Sequence, residues 1–118
     1  MENTKIGYPV PQLPVGDVEK AQIYYRDILG LEILWIYPEN EKYIGAVNRE
    51  NTTIFFARTN KPIEPNIHWI YAEDVDLTYA EFKERGADII EEIENKPWNT
   101  RQFTIRDLNS HIFYIHHG

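Results

Sequence analysis

The stretches Val10-Pro11-Gln12-Leu13-Pro14-Val15-Gly16-Asp17-Val18 and Ile67-His68-Trp69-Ile70-Tyr71-Ala72-Glu73-Asp74-Val75 share one pattern: a short apolar run, then an Asp-Val pair. Superposing Asp17 on Asp74 sets an offset of about 57 positions in a chain of 118 residues. After the first Asp-Val pair, Ala21, Tyr24, Tyr25 and Ile28 recur at helical spacing until Gly30; after the second, Thr78, Tyr79 and Phe82 do so until Gly86. Each Asp is placed to accept from the orphan N–H groups of a first helical turn, and each Gly to leave the helix through the left-handed region. Taken alone, the spacing also suits any α/β protein that repeats Asp-capped helices.

Working outward, each helix is followed by three short segments rich in β-branched and aromatic residues. They are Glu32 to Tyr37, Tyr43 to Asn48 and Thr52 to Arg58 in the first half, and Asp88 to Ile93, Arg101 to Arg106 and His111 to His116 in the second. Turn material such as Pro38-Glu39-Asn40, Asn48 to Asn51 and Asp107 to Ser110 separates them. Each half therefore reads as strand, helix and three strands. Module one covers about 8–58, a linker rich in proline and polar residues covers 59–65, and module two covers about 66–117, all within one domain spanning 1–118.

Composition narrows the function classes. An apolar content of 42% suffices for a core, and no segment approaches the roughly 20 apolar residues of a membrane span. A formal charge of −7 opposes a phosphate backbone, so neither nucleic acid nor membrane is expected as a partner, and a cytoplasmic location is expected. Cysteine is absent, which removes disulfides and thiolate chemistry. Ser110 is the only serine and falls in a turn, with no base or oxyanion hole around it, and Gly-rich phosphate loops are missing. No catalytic residue is assigned. The acidic run Glu91-Glu92-Ile93-Glu94 reads as a solvated turn or edge strand rather than a binding site.

The segments Leu13 to Val18, Tyr24 to Leu31, Ile44 to Val47, Trp69 to Glu81, Lys96-Pro97-Trp98 and Arg101 to Asp107, in this order and spacing, resemble the bleomycin-resistance branch of the vicinal oxygen chelate, or glyoxalase-like, superfamily. The resemblance spans nearly the whole chain. It implies an α+β fold of two tandem βαβββ modules, each a curled mixed sheet forming half of an open barrel, assembled as a strand-swapped homodimer with clefts at the interface. It also implies where enzymes of the superfamily hold a divalent metal, and here those positions carry Val10, Phe55, Ile67 and Tyr114. None offers a strong ligand, so no metal and no other cofactor is expected. His68, next to Ile67, points to the opposite face if strand alternation holds, and a one-residue register slip would reverse this. His111 reads as a turn residue, and His116 shares parity with Tyr114 but lies near the frayed chain end.

Without a metal, what remains is an aromatic cleft. Parity places Val10, Gln12, Phe55, Ile67, Trp69, Tyr71, Ile112 and Tyr114 on the concave side, with Trp98 at its rim. Gln12, Phe55, Trp69, Tyr71, Trp98, Phe103 and Tyr114 are the candidate ligand contacts; core packing is the competing reading for Phe55, Trp69, Tyr71 and Phe103. Aromatic walls suit a flat or cationic ligand. The expectation is a metal-independent binding protein that sequesters a small molecule, in the manner of proteins that bind bleomycin-type antibiotics. A metal-dependent glyoxalase-like or dioxygenase-like enzyme is the alternative. In the usual Pro-Trp-Gly turn of this branch, Asn99-Thr100 stands here in place of the Gly.

Overall fold

A computed structural model describes residues 2–118. Module one comprises β1 (Gln12–Val15), α1 (Val18–Leu29), β2 (Glu32–Tyr37), β3 (Ile44–Arg49) and β4 (Thr52–Arg58). Module two repeats the series with β5 (Ile67–Tyr71), α2 (Val75–Arg85), β6 (Asp88–Asn95), β7 (Arg101–Arg106) and β8 (Ile112–His117). The fold is α+β, two βαβββ modules, as the duplication predicts.

The helix ends are built as their residues require. Asp17 accepts from the Lys20 N–H at 2.9 Å and Asp74 from the Leu77 N–H at 3.0 Å. Gly30 and Gly86 close the helices at φ 71° and 93°, where a Cβ would be strained.

The sheets have identical topology, β1-β4-β3-β2 and β5-β8-β7-β6, with the first strand parallel to the last and all other pairs antiparallel. The first strand is shorter than the sequence pattern indicates. Val10 lies ahead of it, because Pro9 and Pro11 have no N–H to give to a ladder; only the Pro11 carbonyl pairs, accepting from Phe55 N–H at 2.9 Å. At the other end β8 runs on through His117, which pairs with Arg101, so His116 sits in an ordered ladder rather than a frayed end.

One face of each sheet carries the core. Leu13, Val15, Val47, Ile54 and Phe56 lie under α1, and Phe103, Ile105, Phe113 and Ile115 lie under α2. Tyr25, Phe82 and their neighbours at helical spacing pack helix against sheet, as their periodicity predicts. The modules meet on this helical side. The Tyr25 ring lies 4.8 Å from Phe56 and 6.2 Å from Phe113, touching both sheets, and its hydroxyl donates to Asp107 at 2.5 Å. Burial first, and then the Asp107 charge, push the Tyr25 phenol well above its usual range. His111, fully buried, accepts from Asn66 N–H through Nδ1 at 2.9 Å, which leaves Nε2 to donate to the Pro14 carbonyl of module one at 2.8 Å. Its role is thus more than a turn: it ties the modules together. Arg49 grips Glu81 through two bonds of 2.8 Å, and Arg85 reaches both Glu81 and the Asp27 carbonyl.

Candidate ligand-binding face

With the helical side filled, the opposite face of each sheet lies open. On module two the strand register assembles three cross-strand rungs on that face. Ile67, Ile112, Arg106 and Asp88 form one, Trp69, Tyr114, Thr104 and Glu91 the next, and Tyr71, His116, Gln102 and Glu94 the third. Each rung runs from an apolar or aromatic residue on β5 to a carboxylate on β6. The Trp69 ring lies 4.7 Å from Tyr114 and 5.4 Å from His116, and Tyr71 lies 5.8 Å from His116. Trp69 and Tyr71 are nonetheless 51% and 59% exposed, so this is a platform of rings with its upper surface uncovered rather than a packed core. The acidic strand is an edge strand, as expected, but Glu91 is turned onto the platform, where it accepts from the Thr104 hydroxyl at 2.6 Å.

The corresponding rung of module one is Gln12, Phe55, Ala46 and Trp35. Trp35 packs on Phe55 at 5.2 Å and is a face residue that strand alternation alone does not find. Ile33 pairs with core-facing Val47, and by strict alternation Trp35 would share its face. A β-bulge at Leu34 inserts one residue, so that Trp35 pairs with Ala46 and turns outward. The same bulge recurs at Ile90 and is what turns Glu91 outward opposite Thr104. The duplication therefore extends to this bulge, though β6 carries a second shift between Glu91 and Glu94 that β2 lacks, and the residue delivered at the equivalent place is Trp in one module and Glu in the other.

Trp98 stands over the third rung of module two. Its Nε1–H points at the Gln102 Oε1 at 3.4 Å, and the Thr100 hydroxyl donates to the same oxygen at 2.6 Å. In the turn that carries Trp98, Asn99 adopts φ 72°, a left-handed conformation that Asn tolerates and glycine would take freely. Its N–H closes on the Lys96 carbonyl at 3.1 Å.

Of the candidates from sequence, Trp69, Tyr71, Tyr114 and Trp98 share the open face of module two, and Gln12 and Phe55 share that of module one. Phe103 is a correction. It is fully buried on the helical side, 5.0 Å from Tyr79 and 6.0 Å from Phe82, and its neighbour Gln102 faces the platform instead. Its pairing with core-facing Ile115 fixes that parity. Trp35, Gln102, Glu91, Glu94 and His116 are among the residues of the open faces that sequence reasoning left out of the site. His68 points away from the platform, stacked 6.0 Å from Phe113, as alternation predicts.

The positions that would hold a superfamily metal do not fit one. Phe55 and Ile67 have no donor atom, Tyr114 offers only a phenol, and Val10 lies outside the first strand. Among the described residues no group of three His, Asp or Glu converges as a metal site would need. No helix among them is long and apolar enough to cross a membrane.

Two βαβββ modules, each with one sheet face under a helix and the other open and lined by rings, define an α+β protein of duplicated modules. The chain belongs to the Glyoxalase/Bleomycin resistance protein/Dioxygenase superfamily, whose family model matches residues 5–113. An uncharacterized protein of Bacillus subtilis (strain 168), YraH, is 28% identical, over 89% of this chain and 93% of that protein. Among solved structures, TioX from Micromonospora sp. ML1 aligns with a TM-score of 0.82 at 22% identity, over 92% of this chain and 95% of that one. The bleomycin-binding protein of bleomycin-producing Streptomyces verticillus, in complex with copper(II)-bleomycin, aligns with a TM-score of 0.82 at 20% identity, over 99% of each.

Proposed function

We propose that this protein is a cytoplasmic, metal-independent binder that sequesters a flat, cationic small molecule, a bleomycin-type antibiotic being the leading case. Two copies of the chain together form the clefts. The observation that carries the reading is the exposed ring platform of Trp69, Tyr71 and Tyr114, with carboxylates at the far end of every rung. Ring faces supply stacking area and attract positive charge, and the carboxylates complement a cation without desolvating it fully. The acidic balance of the chain, −7, acts in the same direction over longer range. Metal-dependent isomerase or dioxygenase chemistry would need ligands that the residues at the superfamily positions do not supply.

All three tryptophans lie on the open faces, Trp35 on module one, Trp69 and Trp98 on module two, so intrinsic fluorescence reports on the candidate cleft. Titrating metal-stripped protein with metal-free bleomycin is expected to give saturable quenching at about one ligand per chain, weakened at least tenfold, about 1.4 kcal/mol, by Trp98→Ala. No response up to about millimolar, where binding is worth only about 4 kcal/mol, would dismiss bleomycin as the ligand.

A further inference from the structure

Lys96 is an unusual lysine. It follows β6 in a polar turn, yet its side chain is only 14% exposed, and its ammonium makes two contacts that a ligand cation would seek. The Nζ lies 2.5 Å from the Glu94 carboxylate and 5.7 Å from the centre of the Trp98 ring. Glu94 above all, with Glu91 and Tyr114 also in electrostatic range, holds the amine charged against the opposing effect of burial. The Trp98 ring is itself tied down, its Nε1–H and the Thr100 hydroxyl both meeting the Oε1 of Gln102, which is 2% exposed. An ammonium held between a carboxylate and an indole face, with further negative charge nearby, is the constellation that recognises an alkylammonium or amidinium group.

We propose that this constellation is a cation seat which Lys96 fills with its own ammonium, and that a ligand binds by stacking its flat ring on the Trp69 and Tyr114 platform while its cationic arm displaces Lys96 from Glu94. Lys96 is then an intramolecular competitor that sets which ligands bind. A neutral flat molecule gains nothing from the seat and leaves Lys96 in place. A cationic one must gain more from Trp98, Glu94 and Glu91 than Lys96 loses. Glu91, turned outward by the bulge at Ile90 and held by the Thr104 hydroxyl, adds negative charge to the field at the seat.

The inference rests on the open face being a ligand platform, and the test separates the two claims. Two probes differing only in charge are used, naphthalen-2-ylmethylammonium and naphthalen-2-ylmethanol, with dissociation constants read by fluorescence and calorimetry on the full chain. Lys96→Met retains the buried stem and removes the competitor. It is expected to tighten the ammonium probe by about tenfold and the alcohol by less than about twofold. Adding Glu94→Gln to Lys96→Met is expected to erase that gain. If Lys96→Met shifts both probes equally, or weakens the ammonium, the cation seat is overturned while the platform stands, provided Trp69→Ala weakens both probes in the wild-type background. If Trp69→Ala changes neither, or neither probe binds the wild type or Lys96→Met up to about 10 mM, below about 3 kcal/mol of affinity, the platform is overturned and the seat with it.

Discussion

Phe113 is flanked by two polar side chains that meet opposite conditions in the core. On one side the Tyr25 hydroxyl donates to Asp107, whose other oxygen accepts from the His111 and Asn109 N–H groups. On the other, His68 presents a buried Nε2 with no partner. Removing the tyrosine hydroxyl leaves a carboxylate, 6% exposed, short of one donor, so Tyr25→Phe is expected to lower stability by about 1–3 kcal/mol in urea denaturation. His68 behaves differently. Burial, with a smaller contribution from His111, lowers its folded-state pKa below 6.5. Between that lowered value and 6.5 the unfolded chain binds more protons than the folded one, so stability falls as the pH drops through this window. Above it the His68 contribution is flat. His68→Phe deletes the unpartnered nitrogen and is expected to cost under about 1 kcal/mol at pH 8. The difference between its stability and that of the wild type should shift in the variant's favour from pH 7 downward; a difference independent of pH between 7 and 5 would show that His68 does not titrate across folding.

At the scale of elements, the bulge in β2 is made by a contact between helix and sheet. Gln22 of α1 donates through Nε2 to the Trp35 carbonyl at 2.7 Å and the Ala46 carbonyl at 3.3 Å, satisfying backbone that the bulge releases from its ladder. The helix reaches in because Gly45 has no side chain; a Cβ there would stand 2.6 Å from Gln22 Nε2 and 2.7 Å from Val18 Cγ1. Gly45→Ala is expected to destabilise by about 1–3 kcal/mol and to shift Trp35 emission, since both follow from pushing α1 off β3. Unchanged emission with lowered stability would separate the helix seating from the bulge. This geometry also explains what could be read in advance. The Asp caps, the Gly exits and the strand count follow from local chemistry repeated at a fixed offset, and all were legible. Strand alternation placed Trp69, Tyr71 and Tyr114 correctly because β5 and β8 run without irregularity. It missed Trp35 and Glu91 because an inserted residue reverses parity and leaves no mark in an otherwise ordinary run such as Ile33-Leu34-Trp35. Phe103 was misplaced for a related reason. Its strand carries aromatic and β-branched residues on one side and Gln102 and Thr104 on the other, and only the pairing with Ile115 decides which side meets the helix.

For the molecule as a whole, the arrangement within one chain leaves both ring-lined faces uncovered, because the modules join through α1, α2 and the buried side of the sheets. The segment before β1 adds to the unpaired apolar surface. Ile6, Tyr8 and Val10 alternate along it, with Ile6 92% and Tyr8 75% exposed. In the proposed dimer a second copy would cover this surface, with the open face of module one set against that of module two. Light scattering at micromolar concentration is expected to give twice the 14.0 kDa chain mass. Ile6→Ser with Tyr8→Ser, which touches neither platform, should shift the population toward the single chain and weaken ligand binding in proportion to the dimer lost. A wild-type mass of one chain at that concentration would remove the shared cleft. A dimer indifferent to both substitutions would keep the cleft and release this segment from the interface.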